Sequence, residues 1–196
     1  MTIMYLYYNQ PRAIDVLKQM DAENYGCNLL FVDDASKEPL KLGWKNTKVI
    51  RIEEDIPWNM PRANNIGIKS LDPNERILRM DMDHFITKEQ VETLKAYDLR
   101  PNEVMKFKRS NARDYPPNIY FTYVRNILYA GLYNEVFCGN YGYEDRDLMD
   151  RLAKKCIFTQ SEISLYVDMD LKTRGLDRDT SINLKKYKTL WKGMNQ

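Results

Sequence analysis

Strand-like and helix-like segments alternate along this chain from its first residues, and that alternation limits the fold more than any single motif does. Ile3 to Tyr8 is a β-branched and aromatic run, broken by Asn9-Gln10-Pro11, after which Ala13, Val16, Leu17 and Met20 recur at helical spacing. Asn28 to Val32 and Lys48 to Ile52 read as further short strands, and Pro61 opens a helix through Ile66 to Ser70. Arg76 to Met82 is the next strand. Thr87-Lys88-Glu89-Gln90 then has the form of a capping box before the helix of Val91, Leu94 and Tyr97. Strands are expected at Val104 to Lys108, Ile119 to Val124, Cys156 to Thr159 and Ser164 to Val167. A helix begins after Gly142 and continues through Leu148 and Leu152, and Ile182, Leu184, Tyr187, Leu190 and Trp191 make a last amphipathic one. Such alternation predicts an α/β domain with a mainly parallel central sheet flanked by helices.

Ligands of an open α/β sheet bind beyond the carboxyl ends of its strands. Two acidic pairs fall there, Asp33-Asp34 and Asp81-Met82-Asp83. Carboxylates are rarely left beside a core without a partner, because a lone buried charge is costly to desolvate. On a strand, residues i and i+2 point the same way, so Asp81 and Asp83 can meet one divalent cation. Plainer roles exist for both pairs: Asp33 and Asp34 suit a turn before Ser36, and Arg79 shares the parity of Asp81 and Asp83, as on a polar strand face. A third feature is Gly139-Asn140-Tyr141-Gly142-Tyr143-Glu144-Asp145. Its glycines allow close backbone approach to a ligand. Its carboxylates sit at a helix start, where the macrodipole favours their ionised form, and an ionised carboxylate at a site mouth can act as a general base.

Together these segments resemble the GT-A fold glycosyltransferases, especially the inverting family 2 and the galactosyltransferase-like group. Phe31-Val32-Asp33-Asp34-Ala35-Ser36 is similar to the segment whose acidic residue contacts uracil and ribose. Pro61-Arg62-Ala63-Asn64-Asn65-Ile66-Gly67 resembles the helix start that lies against the donor. Asp81-Met82-Asp83 resembles the DxD metal motif, and Gly142 to Leu148 the segment carrying the acceptor base. The resemblance implies one domain, with residues 1–85 as a nucleotide-binding half and 86–196 as an acceptor half with the C-terminal helix. It implies a UDP-sugar donor and Mn²⁺ or Mg²⁺. Asp145 would be the base and Glu144 would orient the acceptor, while Asp33, Asp34, Arg62, Asn65 and Asp81 would bind the nucleotide. Asp83 would be the direct metal ligand, with Asp81 as ligand or ribose contact. Family members often add a histidine from a late strand. The only histidine here, His84, is expected to be a packed or solvated strand-end side chain, so Asp170, with Asp168 as substitute, is the candidate third ligand. Lys172, Arg174 and Arg178 read either as a solvated surface, the commoner case for such a charge run, or as a mobile flap that neutralises phosphates.

Tyr143, Lys108 and Arg109 are candidate acceptor contacts. The basic and aromatic residues from Lys106 to Arg125 also suit phosphate contact and base stacking, so the acceptor is either a glycan or a hydroxylated base in DNA, as in phage-type DNA modification. A nucleic-acid binding module without catalysis would explain that stretch but not the acidic residues. A nucleotidyltransferase would need a glycine-rich phosphate loop, which Tyr8-Asn9-Gln10-Pro11-Arg12 does not offer. With 30 basic against 28 acidic residues, the net charge of +2 draws the whole molecule to neither nucleic acid nor lipid. Cys27, Cys138 and Cys156 lack CxxC spacing and read as reduced thiols of a cytoplasmic protein. The first residues form a strand-length apolar run without a basic lead-in, so neither a signal peptide nor a membrane span is expected.

Overall fold

A computed structural model describes residues 1–110, 115–168, 171 and 177–192. The strands are β1 (Thr2–Tyr7), β2 (Asn28–Asp34), β3 (Thr47–Ile52), β4 (Arg76–Asp81), β5 (His84–Phe85), β6 (Glu103–Arg109), β7 (Tyr120–Tyr123) and β8 (Ile157–Val167). The helices are α1 (Pro11–Gln19), α2 (Met60–Lys69), α3 (Lys88–Ala96), α4 (Val124–Tyr129), α5 (Glu144–Ala153) and α6 (Ser181–Lys192). Among the described residues they build one eight-stranded sheet in the order β3-β2-β1-β4-β7-β6-β8-β5. β3, β2, β1 and β4 run parallel, β6 and β8 are parallel to each other, and β7 and β5 enter antiparallel.

Burial on both faces explains the sequence of the parallel strands. Ile3, Met4 and Tyr5 are consecutive and all fully buried. Ile3, Tyr5, Phe31, Leu78 and Phe107 pack with Ala13, Ile14 and Leu17 of α1 and Val91 and Leu94 of α3. Met4, Leu30, Ile77, Val104 and Tyr120 pack on the other face with Ile68 of α2, Ile127 of α4 and Leu148 and Leu152 of α5. α2 lies unusually close to the sheet: a Cβ on Gly67 would come within 2.6 Å of Met4 Sδ and 2.8 Å of Val32 Cγ2. Only glycine permits that approach. The capping box of α3 is present, with the Thr87 side chain accepting from the Gln90 backbone and Gln90 reaching back.

Three local features differ from the sequence expectation. The strand expected to reach Val124 stops at Tyr123, and α4 begins at once. Its first N–H groups are taken by the carbonyls of Glu75 and Pro73, a long-range contact that leaves no mark in the local sequence. The two strands expected over 156–167 are one strand, which stays paired with β6 through a register shift between Lys106 and Lys108. β4 ends at Asp81, so Met82 and Asp83 form a turn rather than further strand. Among the described residues no helix is long and apolar enough to cross a membrane, and the three cysteines are free.

Candidate metal and acid–base site

A cleft of about 610 Å³ opens at the carboxyl ends of β1, β2, β4 and β6. Leu6 and Tyr7 line it from β1 and Tyr8 from just beyond it, Asp34 from β2, Asp81 from β4 and Arg109 from β6. Because these strands are parallel, their ends gather residues distant in sequence at one rim.

Beneath the floor lies Arg79, whose side chain is completely buried. Its Nε donates to Asn64 Oδ1 at 3.1 Å, and its Nη1 donates to Asn118 O at 2.6 Å and to Asp81 Oδ1 at 2.5 Å. Burial works against the charged guanidinium. The neighbouring carboxylate of Asp81, helped by Asp145, offsets that cost and raises its pKa. The other oxygen of Asp81 accepts from Asn118 Nδ2. The turn after Asp81 carries Asp83, whose Oδ1 lies 2.6 Å from His84 Nδ1. Asp81, Asp83 and His84 each offer a ligand atom, all within 4.8 Å of one another, so this trio can hold a metal ion. The turn, not strand parity, lets Asp83 approach Asp81.

Facing the trio from the same cleft are Glu144 and Asp145, at the start of α5. Gly142 and Tyr143 lead in with φ of +89° and +72°, which bends the loop sharply into the helix. The buried amide of Asn183 on α6 donates to the carbonyls of Phe137, Asn140 and Gly142 and fixes that loop. Burial, reinforced by the charge of Asp145, pushes Glu144 up to about 8. Asp145 is raised as well: burial outweighs the opposing charge of Arg79, and Asp81 adds to the rise. Its Oδ1 accepts from Tyr133 Oη at 3.2 Å, and Tyr133 Oη lies 3.0 Å from Tyr120 Oη. Lys106 stands nearby, pushed down to about 7 by burial, with its amine donating to Pro116 O. A carboxyl pair with raised pKa beside an open cleft is suited to taking up a proton.

The expected donor residues divide. Asp34 lines the cleft, accepts from Asn59 Nδ2 at 2.8 Å, and is pushed up to about 6 by burial. Asp33, next to it, is fully buried and organises the loop: it accepts from the backbone N–H of Ser36 and Leu40 and from Arg51 Nη1 at 2.8 Å. Arg62 pairs with Glu54 at 2.7 Å outside the cleft. Asn65 is buried under α2, exchanging hydrogen bonds with the backbone of Tyr133 and donating to Glu135.

Of the expected acceptor residues, Tyr143 and Arg109 line the cleft, whereas Lys108 lies over the ring of Tyr115 at 5.3 Å. Tyr120 and Phe121 are fully buried core residues, and Lys106 and Phe107 on the neighbouring strand are buried too, so none of these four side chains presents a surface for base stacking. Asp168 contributes its N–H to Asp83 O and its carboxylate to Arg12. Asp170, Lys172 and Arg174 lie outside the described residues. Sequence reasoning missed Asn59, Asn118, Trp58 and Tyr141. The last two pack with their ring centroids 4.5 Å apart and their planes tilted by 49°, with Arg178 over both rings. Tyr141 stood in the glycine–aromatic loop, the one signal that pointed to it.

No family model and no curated protein matches this chain. Solved structures do. The catalytic domain of Drosophila beta1,4galactosyltransferase 7, in complex with xylobiose, superposes with a TM-score of 0.65 at 12% identity over 94% of this chain and 77% of that one. GalNAc-T7 with UDP, GalNAc and Mn²⁺ gives 0.55 at 11% identity over 85% of this chain and 42% of that one. GlyE of Streptococcus pneumoniae TIGR4 gives 0.54 at 12% over 82% and 45%. The protein therefore has the GT-A fold of these glycosyltransferases, and it spans less than half the length of the last two.

Proposed function

We propose that this protein is a metal-dependent glycosyltransferase that moves a sugar from a UDP-sugar to an acceptor hydroxyl. The carrying observation is that Asp81 and Asp83, at the end of β4, and Glu144 and Asp145, at the start of α5, line one cleft in a GT-A fold. A divalent ion, Mn²⁺ or Mg²⁺, supplies Lewis-acid stabilisation of the charge growing on the departing diphosphate. Asp83 would hold that ion, and Asp34 with Asn59 would contact the nucleoside. Asp33 and Asn65 act on the donor side through the loop and helix they anchor. Residues 1–85 thus serve the donor and 86–196 the acceptor.

Asp145 takes the proton of the acceptor hydroxyl as its oxygen bonds to the anomeric carbon, and Glu144 orients that hydroxyl. The bond from the anomeric carbon to the diphosphate breaks, and the electron pair leaves with UDP. Attack from the side opposite the leaving group inverts the anomeric centre. A glycan is the acceptor that the cleft supports best, since sugars stack on aromatic faces such as Trp58 and Tyr141 and the buried Tyr120 and Phe121 offer nothing to nucleobases. A hydroxylated base in DNA would have to be extruded into the cleft.

Calorimetry with UDP, in the presence and absence of Mn²⁺, tests the reading, followed by sugar-nucleotide screening and mass spectrometry with glycans and hydroxymethylated DNA. Asp83→Ala is expected to abolish metal-dependent UDP binding. Asp145→Asn is expected to keep that binding within about threefold and to lower transfer by about 10²- to 10⁴-fold. Normal turnover by Asp145→Asn would overturn the assignment of the base, and metal-independent oligonucleotide binding in place of UDP binding would overturn the function.

A further inference from the structure

We infer that the buried tyrosines Tyr133 and Tyr120 are positioning residues for the acceptor base: their hydroxyls form a chain that holds one oxygen of Asp145 and leaves the other to the acceptor. The inference rests on the assignment of Asp145 as base and deepens it. Tyr133 Oη donates to Asp145 Oδ1 at 3.2 Å. That uses its single proton, so the 3.0 Å contact between the phenol oxygens is Tyr120 donating to Tyr133. Among the described residues nothing else hydrogen-bonds the Asp145 carboxyl, and Asp145 lines the cleft.

Packing alone does not call for hydroxyls here. Tyr120 is fully buried and Tyr133 is 2% exposed. Phenylalanine would fill both places, and a buried hydroxyl is costly unless it is bonded. Among the described residues these two hydroxyls bond only to each other and to Asp145, and neither braces the backbone. Burial raises both phenols above their usual value of 10.0, so each keeps a proton to donate.

Both rings are fixed from elsewhere in the fold. Gly131 and Leu132, with φ of +88° and +65°, reverse the chain after α4 and deliver Tyr133 to the core. Asn65 on α2 grips the Tyr133 backbone twice, accepting from its N–H and donating to its carbonyl, each at 2.9 Å. Tyr120 stands on β7 opposite Arg79 of β4 on one side and Lys106 of β6 on the other. Tied at Oδ1, the Asp145 carboxyl cannot rotate without breaking a hydrogen bond. A base held in its reactive orientation saves the entropy of finding it at each turnover.

The test takes the full chain with Mn²⁺ and UDP-glucose or UDP-galactose, uses water as the acceptor, and follows release of UDP. Tyr133→Phe is expected to lower kcat about tenfold or more and Tyr120→Phe about threefold, with donor KM and calorimetric UDP affinity within about twofold of wild type. Added to Asp145→Asn, Tyr133→Phe should cost less than about twofold more, because it acts through that carboxylate. A merely structural role would raise KM as well and cost the same in both backgrounds. Aspartate labelled with ¹³C at the carboxyl gives a readout that needs no turnover. At one pH the Asp145 signal, assigned by its loss in Asp145→Asn, is expected to move in Tyr133→Phe and to move less in Tyr120→Phe. If Tyr133→Phe does not fold, Tyr120→Phe carries both measurements, and if neither donor releases UDP, the carboxyl signal decides alone. An unmoved signal, an unchanged kcat or an equal loss in both backgrounds would overturn the inference and leave the proposed function standing. Absence of any Mn²⁺-dependent UDP binding would overturn both.

Discussion

Glu103 and Glu144 are both buried glutamates, set at opposite ends of the sheet, and the protein treats them in opposite ways. Glu103 begins β6, away from the cleft. Burial alone would raise its pKa, but hydrogen bonds from the Thr159 and Tyr97 hydroxyls and the Arg100 backbone outweigh burial and hold it below the usual range. Glu144 begins α5 at the cleft. It keeps an oxygen without a partner among the described residues, lies beside another carboxylate, and is pushed up. A buried carboxylate with its acceptors filled fastens the scaffold. One left short of donors beside a like charge stores a cost that a ligand can relieve. Asp33 and Asp34 repeat the contrast one residue apart: the first is filled by three donors, and the second lines the cleft with a raised pKa.

Breaking the counterion beneath the cleft should have the largest effect on stability. Arg79→Met leaves Asp81 without its buried partner and is expected to cost about 3 to 5 kcal/mol in urea denaturation. Adding Asp81→Asn should recover part of that loss, because the two side chains form one interaction. A loss below about 1 kcal/mol would mean that Arg79 is not the partner that neutralises Asp81.

Glu103→Gln is expected to cost about 1 to 3 kcal/mol at neutral pH. Since the folded-state pKa is lowered, the stability Glu103 contributes is present above its unfolded value of 4.5 and vanishes as pH falls through the folded value. The Tm gap between wild type and variant should therefore close on acidification. A gap independent of pH would sink the scaffold half of the comparison.

Glu144→Gln should act in the other direction and by less, as a Tm gain of a few degrees. Here the folded pKa lies above the unfolded 4.5, so the favourable contribution is complete below 4.5 and lost as pH climbs toward about 8. The variant should match wild type near pH 4 and exceed it near pH 8. A Tm that drops at pH 8 would show that Glu144 is satisfied in a way the cleft geometry does not reveal.

Much of this was legible in the residues. The β1 run with its proline break, the capping box at Thr87 and the acidic ends of β2 and β4 gave the parallel core and the rim where the cleft opens. Local pattern failed where a distant partner decided the outcome. α4 starts on carbonyls from residues 73 and 75, and the 157–167 strand holds together because β6 accommodates a bulge. Strand parity also gave the wrong reason for Asp81 and Asp83 converging, since a turn brings the second one round.

By itself the sequence determined the alternation of elements, hence a parallel sheet, hence acidic residues at the carboxyl ends of its strands. Those follow from periodicity and turn chemistry, which act over a few residues. Only the tertiary structure decided which acids are silent and which are poised. Desolvation and counterions belong to whatever packs alongside: Asp81 is balanced by Asn118 as well as Arg79, and Asp145 is tuned from residues 79, 106 and 133. No stretch of chain encodes that neighbourhood.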